Sequence, residues 1–286
     1  MRRASTIQRE TEQIMTVEGL TNVFESIAST QVSKVKNKAE LSKEFFQLLW
    51  PRYTSLRIDP GSRITSTERS NNQSKKVFII ISAASGLSGD IDERLIETML
   101  QDYDPKDTDI IVFGAHGANQ LAQRHIVISH YFTVTETDSY IDVSPVIKIV
   151  KDYSRIVVYY EEYDSLGSQG IKKIDLISSI KEMSSEAEEG IMTATDTIFE
   201  PSLDEIAEQM EETMMSLALS QAILESGLAQ SASRFNAMAL AKKRALDLIS
   251  LYKLEYHQAK RAESDRRLRE VMISLKTKRR HKGAVR

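Results

Sequence analysis

The turn Gly86-Leu87-Ser88-Gly89 follows the apolar run Val77-Phe78-Ile79-Ile80-Ile81, where glycines would let backbone amides approach an anion at a helix start. It lacks the Gly-Lys-Ser/Thr of nucleoside triphosphatases and the complete dinucleotide spacing. It therefore reads as a tight strand-to-helix turn built on Gly86 and Gly89, with a phosphate cradle as the weaker alternative. Ser88 does not stand in a Gly-x-Ser-x-Gly elbow, which argues against a hydrolase nucleophile. His116, His125 and His130 share a region, but no pair has the separation of four that zinc proteases use on a helix. His125 and His130 flank Ile126-Val127-Ile128 and read as surface or edge residues. Cysteine is absent, so disulfides, thiolate catalysis and cysteine metal sites are excluded. These residue types supply no catalytic set, no cofactor site and no metal site. The chemistry left open is recognition: Lys242-Lys243-Arg244 could grip an acidic loop or form a solvated helix face.

Charge is divided along the chain. The net charge is only −3 over 286 residues, 28% of them Asp, Glu, Lys or Arg. Residues 182–212 are strongly acidic, whereas from Lys242 onward Lys and Arg dominate and the chain ends in the basic run Lys278-Arg279-Arg280-His281-Lys282. Such an end suits a polyanion, either nucleic acid or an acidic protein surface, and equally a solvated tail. No run of about 18 or more uncharged apolar residues occurs, and Met1-Arg2-Arg3 leads into charged sequence rather than an apolar secretory core, so a cytosolic chain is expected.

The elements that must position these residues fall into three regions. Ile7, Ile14, Val17, Phe24, Ala28 and Val35 recur in steps of three and four, the heptad spacing of a helix with one apolar seam. Leu20 and Ile27 widen that seam, so one face should be buried along much of its length. Trp50-Pro51 should interrupt the helix, since proline lacks an amide donor. This N-terminal coiled-coil region is assigned to 1–58, followed by a linker at 59–76 containing Pro60, Gly61, Asn71 and Asn72. Within 77–181, the strands Val77–Ile81, Asp109–Gly114 and Ser154–Tyr160 alternate with helices at Asp92–Leu100 and Ala118–Arg124, which indicates a small α/β domain on a largely parallel sheet. An acidic linker covers 182–201.

The last region, 202–286, returns to helix. Ser202 and Glu205 form a capping box, and Leu217, Leu224, Leu228, Phe235, Met238, Ala245, Ile249, Tyr252, Tyr256 and Ala259 repeat the heptad spacing. Unbroken from Ser202 to Lys276, this helix would be about 110 Å long at roughly 1.5 Å per residue. Tyr252 and Tyr256 read as packing residues rather than a cofactor box. The expected architecture is a long antiparallel coiled coil of N- and C-terminal helices with an inserted Rossmann-like α/β domain. Beyond the shorter helix, the seam positions become Glu263, Arg266 and Glu270, which no dry core would accept, so this tip should be hydrated or face a partner.

Several stretches resemble, in order, the gamma subunits of F-type ATP synthases. Ser82-Ala83-Ala84-Ser85-Gly86-Leu87-Ser88-Gly89-Asp90-Ile91-Asp92 is similar to that family's Ser-Asp-Arg-Gly-Leu-Cys-Gly-x-x-Asn, with Ser88 at the usual cysteine. Phe199-Glu200-Pro201 resembles its Tyr/Phe-Glu-Pro. Ala222-Ile223-Leu224-Glu225-Ser226 and Arg234-Phe235-Asn236-Ala237-Met238 resemble its Leu-x-Glu-Ser and Ala-Arg-Met-x-Ala-Met, and Leu248-Ile249 and Leu254-Glu255-Tyr256 continue the alignment.

The resemblance implies a rotor rather than an enzyme. The coiled coil would turn in the bore of a hexamer of alpha and beta subunits, its asymmetric surface contacting each catalytic site differently. The α/β domain would be the foot that grips the membrane c-ring with the epsilon subunit, peripheral on the cytoplasmic face of the cell membrane. Catalytic residues would belong to the beta subunit. Arg234, Met238, Lys260, Arg261 and Asp265 are the implied contacts with the alpha/beta hexamer. The family's Arg-Gln pair, which contacts the beta catch loop, falls here on Lys260-Arg261, and its Ile-Thr on Ser264-Asp265; a rigid guanidinium fork and a point charge do not make the same contact. The first helix also departs, with Ile14-Met15-Thr16-Val17-Glu18 in place of Ile-Thr-Lys-Ala-Met, and the basic end replaces a small apolar C-terminus. Two alternatives stay open: the shaft of a specialised F-type-like ATPase, or a coiled-coil structural protein with a basic nucleic-acid-binding tail. The second leaves the inserted α/β domain and its ordered motifs unaccounted for.

Overall fold

The structure is a computed structural model, which describes residues 2–55, 75–133, 142–151, 153–177 and 203–283. The acidic linker, residues 59–74 of the first linker, Phe199-Glu200-Pro201 and the capping Ser202 fall outside the described residues, while Lys76, assigned to that linker, opens the first strand. Contacts divide the chain into two compact units: residues 1–26 with 238–286, and residues 27–237. Two helices contribute to both, α1 (Ala4–Ser55) and α5 (Leu203–Gly283).

The larger unit holds a five-stranded sheet in the order β3-β2-β1-β4-β5. Its strands are β1 (Lys76–Ile81), β2 (Thr108–Phe113), β3 (His130–Phe132), β4 (Arg155–Ser165) and β5 (Ser168–Asp175). The first four are mutually parallel, with Ile79 of β1 opposite Ile111 of β2 and Val158 of β4, while β5 returns antiparallel to β4. Continuous Val/Ile runs dictate this centre, because a parallel strand is covered on both faces and has no polar side to show.

One face, with Phe78, Ile80, Ile110, Val112, Val157 and Tyr159, packs on Leu95, Ile96 and Met99 of α2 (Ile91–Leu100) and on Leu121 of α3 (Ala115–Gln123). The other, with Ile79, Ile81, Ile111, Phe113, Val158 and Tyr160, packs on α4 (Ser144–Val150) and on Met214, Met215, Ala218, Leu219, Ala222 and Ile223 of α5. The first turns of the long helix are therefore a layer of the α/β unit. At about 25 cal/mol per Å² of apolar surface, this two-sided burial is the main stabilising contribution.

In the smaller unit α1 and α5 run antiparallel, low numbers on one opposite high numbers on the other. Ala4 N–H donates to Glu263 Oε1 at 3.2 Å, Ala4 and Ile7 cluster with Tyr252, Tyr256 and Ala259, and Lys242 Nζ reaches Asn22 Oδ1 at 2.7 Å and Glu25 Oε2 at 3.0 Å.

Two expectations need correction. The helix does not stop at Trp50-Pro51 but runs to Ser55, the missing amide donor of the proline removing one hydrogen bond without ending the helix. The apolar seam of α1 is not buried along much of its length. Ile7 and Ala28 are buried, whereas Val17, Leu20 and Ile27 are exposed, because a single partner helix covers a narrow stripe and leaves the broader face uncovered. The short β3, the half-buried β5 and the seven-residue α4 are elements that periodicity did not reveal.

Candidate functional site

At the carboxyl ends of β1, β2 and β4 the chain gathers a buried polar cluster. β1 ends at Ser82, whose hydroxyl donates to the Phe113 carbonyl at 2.8 Å and accepts the Gly117 amide at 3.0 Å. Gly114 takes φ 91°, and a Cβ there would lie 2.2 Å from the Ser82 carbonyl oxygen, so only glycine lets the strand ends approach this closely.

The Gly86–Gly89 turn then closes over Asp92 at the start of α2. Asp92 is wholly buried; its Oδ1 accepts the Ala83 amide at 2.9 Å, and its Oδ2 accepts the Ser88 hydroxyl at 2.9 Å and lies 3.0 Å from His116 Nδ1. The turn is thus a strand-to-helix joint, with its Ser88 hydroxyl turned to Asp92. Gly89, at φ 76°, faces Ser233 of α5, whose hydroxyl donates to the Ser88 carbonyl at 2.6 Å.

Glu161 closes the cluster from β4. It is wholly buried, and its Oε2 accepts from the Ser226 hydroxyl at 3.0 Å. Burial first, and then the neighbouring Asp92 charge, hold its carboxyl well above the ordinary carboxylate range. The Ser226 hydroxyl also lies 3.2 Å from the Ile81 carbonyl and accepts Gln230 Nε2 at 3.0 Å. One turn on, Arg234 reaches Ser85 Oγ at 3.2 Å and the Ser85 carbonyl at 3.4 Å. Three side chains of α5, at 226, 233 and 234, therefore fasten the long helix to β1, β4 and the loop after β1, and Gln230 supports Ser226 from within the helix.

The sequence-derived residues fall in three settings. Arg234 is buried at this joint, and Met238 is buried as well. Lys260, Arg261 and Asp265 are exposed on α5, with Lys260 Nζ 5.8 Å from the centre of the Tyr256 ring. Residues 263–276 are exposed throughout, including Glu263, Arg266 and Glu270. His125 adopts φ 58° after α3 and His130 lies on the edge strand β3, while His116 turns to Asp92. Among the described residues, no group of three or more His, Asp or Glu has the spacing to hold a metal ion.

Sequence reasoning passed over Glu161 and the part played by Asp92. The available signal was an acid directly after the five apolar residues Ile156–Tyr160, where strand alternation continues a buried face.

A family model described as ATP synthase matches residues 3–276. The ATP synthase gamma chain of Halothermothrix orenii is 23% identical over 282 residues, covering 93% of this chain and 96% of that one. The gamma chain of Mycoplasmoides gallisepticum is 25% identical over 288 residues, covering 93% and 96%. Among solved structures, the central stalk and c-ring of Tetrahymena thermophila mitochondrial ATP synthase contain a similar chain, with a TM-score of 0.59 at 15% identity, covering 78% of this chain and 99% of that one. A chain of the Euglena gracilis mitochondrial ATP synthase gives a TM-score of 0.55 at 13% identity, covering 90% and 95%.

Proposed function

Because the chain belongs to the ATP synthase gamma family, we propose that it is the turning shaft of a rotary complex and carries no catalytic centre itself. Rotation driven by ion flow through a membrane c-ring would be passed by the α/β unit to the helix pair, and from there to an alpha/beta hexamer that makes or hydrolyses ATP. The epsilon subunit would share the grip on the ring, and the complex would hold this subunit peripherally at the cytoplasmic face. No helix among the described residues is long and apolar enough to cross a membrane, which accords with a peripheral role.

The observation that carries this reading is the uncovered end of α5. Leu268, Val271, Met272 and Leu275 form a stripe at helical spacing, each more than half exposed, beyond the point where α1 begins beside Glu263. A helix with a bare apolar stripe suits enclosure by other chains. Lys260, Arg261 and Asp265, exposed just before it, are the charges we assign to the hexamer. Arg234 and Met238, buried in the chain, would act by holding the helix in place.

Affinity purification of the tagged chain from its native cell tests this. Co-recovery of alpha-like and beta-like subunits with ATPase activity is expected, whereas recovery of the chain alone or with nucleic acid would sink the rotor reading. The changed residues at 260–265 and the basic end favour a second reading, the shaft of a specialised F-type-like ATPase; c-ring subunits in the purified complex would decide for a synthase.

A further inference from the structure

We propose that the end of α5, residues 264–276, enters an enclosing socket on a partner protein, and that the wall of this socket carries carboxylates among apolar side chains. Within the rotor reading of the preceding subsection, on which the identity of the partner rests, the socket belongs to the bore of the alpha/beta hexamer.

The shape of the exposed surface points to enclosure. α1 begins beside Glu263, and α5 goes on past it to Lys276 for about 20 Å, at roughly 1.5 Å per residue, with residues 263–276 exposed throughout. At about 100° per residue, Leu268, Val271, Met272 and Leu275 share one sector of the helix, Arg267 and Arg269 flank that sector on its two sides, and Arg266 and Ile273 lie on the far side. Ile273 is 66% exposed, as bare as the stripe opposite it. A helix that lies on a bilayer or a flat surface keeps its apolar and charged residues on separate faces. Apolar side chains on opposite sides of one helix are covered only by a wall that surrounds it.

The charges set the chemistry of that wall. Residues 264–286 hold nine Lys or Arg against Asp265 and Glu270. Among the described residues of this stretch Arg266 forms an ion pair, with Glu270 at 3.1 Å, which leaves the cations at 267, 269 and 276 to be matched from outside. A purely apolar wall would strip their water and return no counter-charge, a cost that carboxylates on the wall would offset, and a guanidinium can bind each of them with two parallel hydrogen bonds. A nucleic acid would answer the cations but leave the five apolar side chains bare. The exposed Lys260 and Arg261, already assigned to the hexamer, lead directly into this surface.

The test uses the tagged full chain in its native cell. Arg267→Glu with Arg269→Glu should lower co-recovery of alpha-like and beta-like subunits by about tenfold or more, whereas Arg267→Lys with Arg269→Lys should retain most of it. Undiminished recovery with the reversed charges, or an equal loss with the Lys substitutions, would overturn the proposal. A second measurement needs no reversed charge: carbodiimide, which joins an amine to a carboxyl group without a spacer, should link Lys276 of the wild-type complex to an Asp or Glu of an alpha-like or beta-like subunit, as read by mass spectrometry. Absence of such a product also overturns it. So does binding of the isolated chain to duplex DNA or to anionic phospholipid vesicles that the reversed charges abolish while subunit recovery stays unchanged. A wild-type chain that recovers no alpha-like and beta-like subunits overturns the rotor reading itself, whereas normal wild-type recovery without these charge effects overturns the socket alone.

Discussion

Gly114 and Asp102 show how much a single atom decides here. Gly114→Ala would place a methyl group against the Ser82 carbonyl and force an L-residue into positive φ. We expect roughly 2–4 kcal/mol of destabilisation, from the combined cost of a left-handed residue and an overpacked contact. A urea melt checks this, and an unchanged midpoint would refute the close approach. Asp102 accepts from Lys173 Nζ at 2.6 Å and from the Tyr159 hydroxyl at 2.8 Å, bonds that hold its carboxyl below the ordinary range. Its folded value lies under its unfolded one, so this stabilisation is present above the ordinary carboxylate range and is lost as pH falls through it. The side chain is 40% exposed, so solvent weakens the pair. Asp102→Asn should therefore flatten the acid side of a plot of melting temperature against pH only slightly; an unaltered slope would show that the pairing contributes nothing. Glycine spacing made the turn at 86–89 legible beforehand, whereas Glu161 and Asp92 were silent, because their burial at one joint depends on a strand and a helix far apart in sequence.

The helices differ in what holds them. Leu219 is wholly buried between α5 and the sheet, so Leu219→Ala should cost about 2–5 kcal/mol and lower the cooperative melt of the α/β unit. Ile7 sits in the small cluster with Ala4, Tyr252, Tyr256 and Ala259. Ile7→Ala should cost roughly 2 kcal/mol, at the low end for such a truncation, and should act locally. Hydrogen exchange is expected to quicken at residues 4–12 and 252–263 while the strand amides keep their rates; uniform quickening would show that the helix pair and the sheet unfold as one. Heptad spacing and unbroken Val/Ile runs announced the long helices and the central strands, since each carries its burial pattern within its own residues. The strand β5 was hidden because Ser168–Asp175 mixes charged and apolar residues, a pattern that becomes a strand only once β4 offers its edge.

For the molecule as a whole, the decisive question is what encloses the end of α5. Removing residues 264–286 should leave the melting temperature of the isolated chain within a few degrees of the full-length value, because the described residues there that are exposed bury nothing. The same deletion, and the milder Lys260→Glu with Arg261→Glu, should weaken recovery of alpha-like and beta-like subunits; unchanged recovery would remove these positions from the interface. The sequence by itself determined the order of parts, the long helices, the buried central strands, the charge division and, through spaced motifs, the family, all being properties of neighbouring residues or of their succession. Only the tertiary structure decided that α5 is a layer of the sheet domain, that Asp92 and Glu161 are both wholly buried at its joint, and that half of the α1 seam stays exposed. Those facts depend on which distant surfaces compete for the same apolar face and which polar groups are left without water, and local sequence carries no record of that competition.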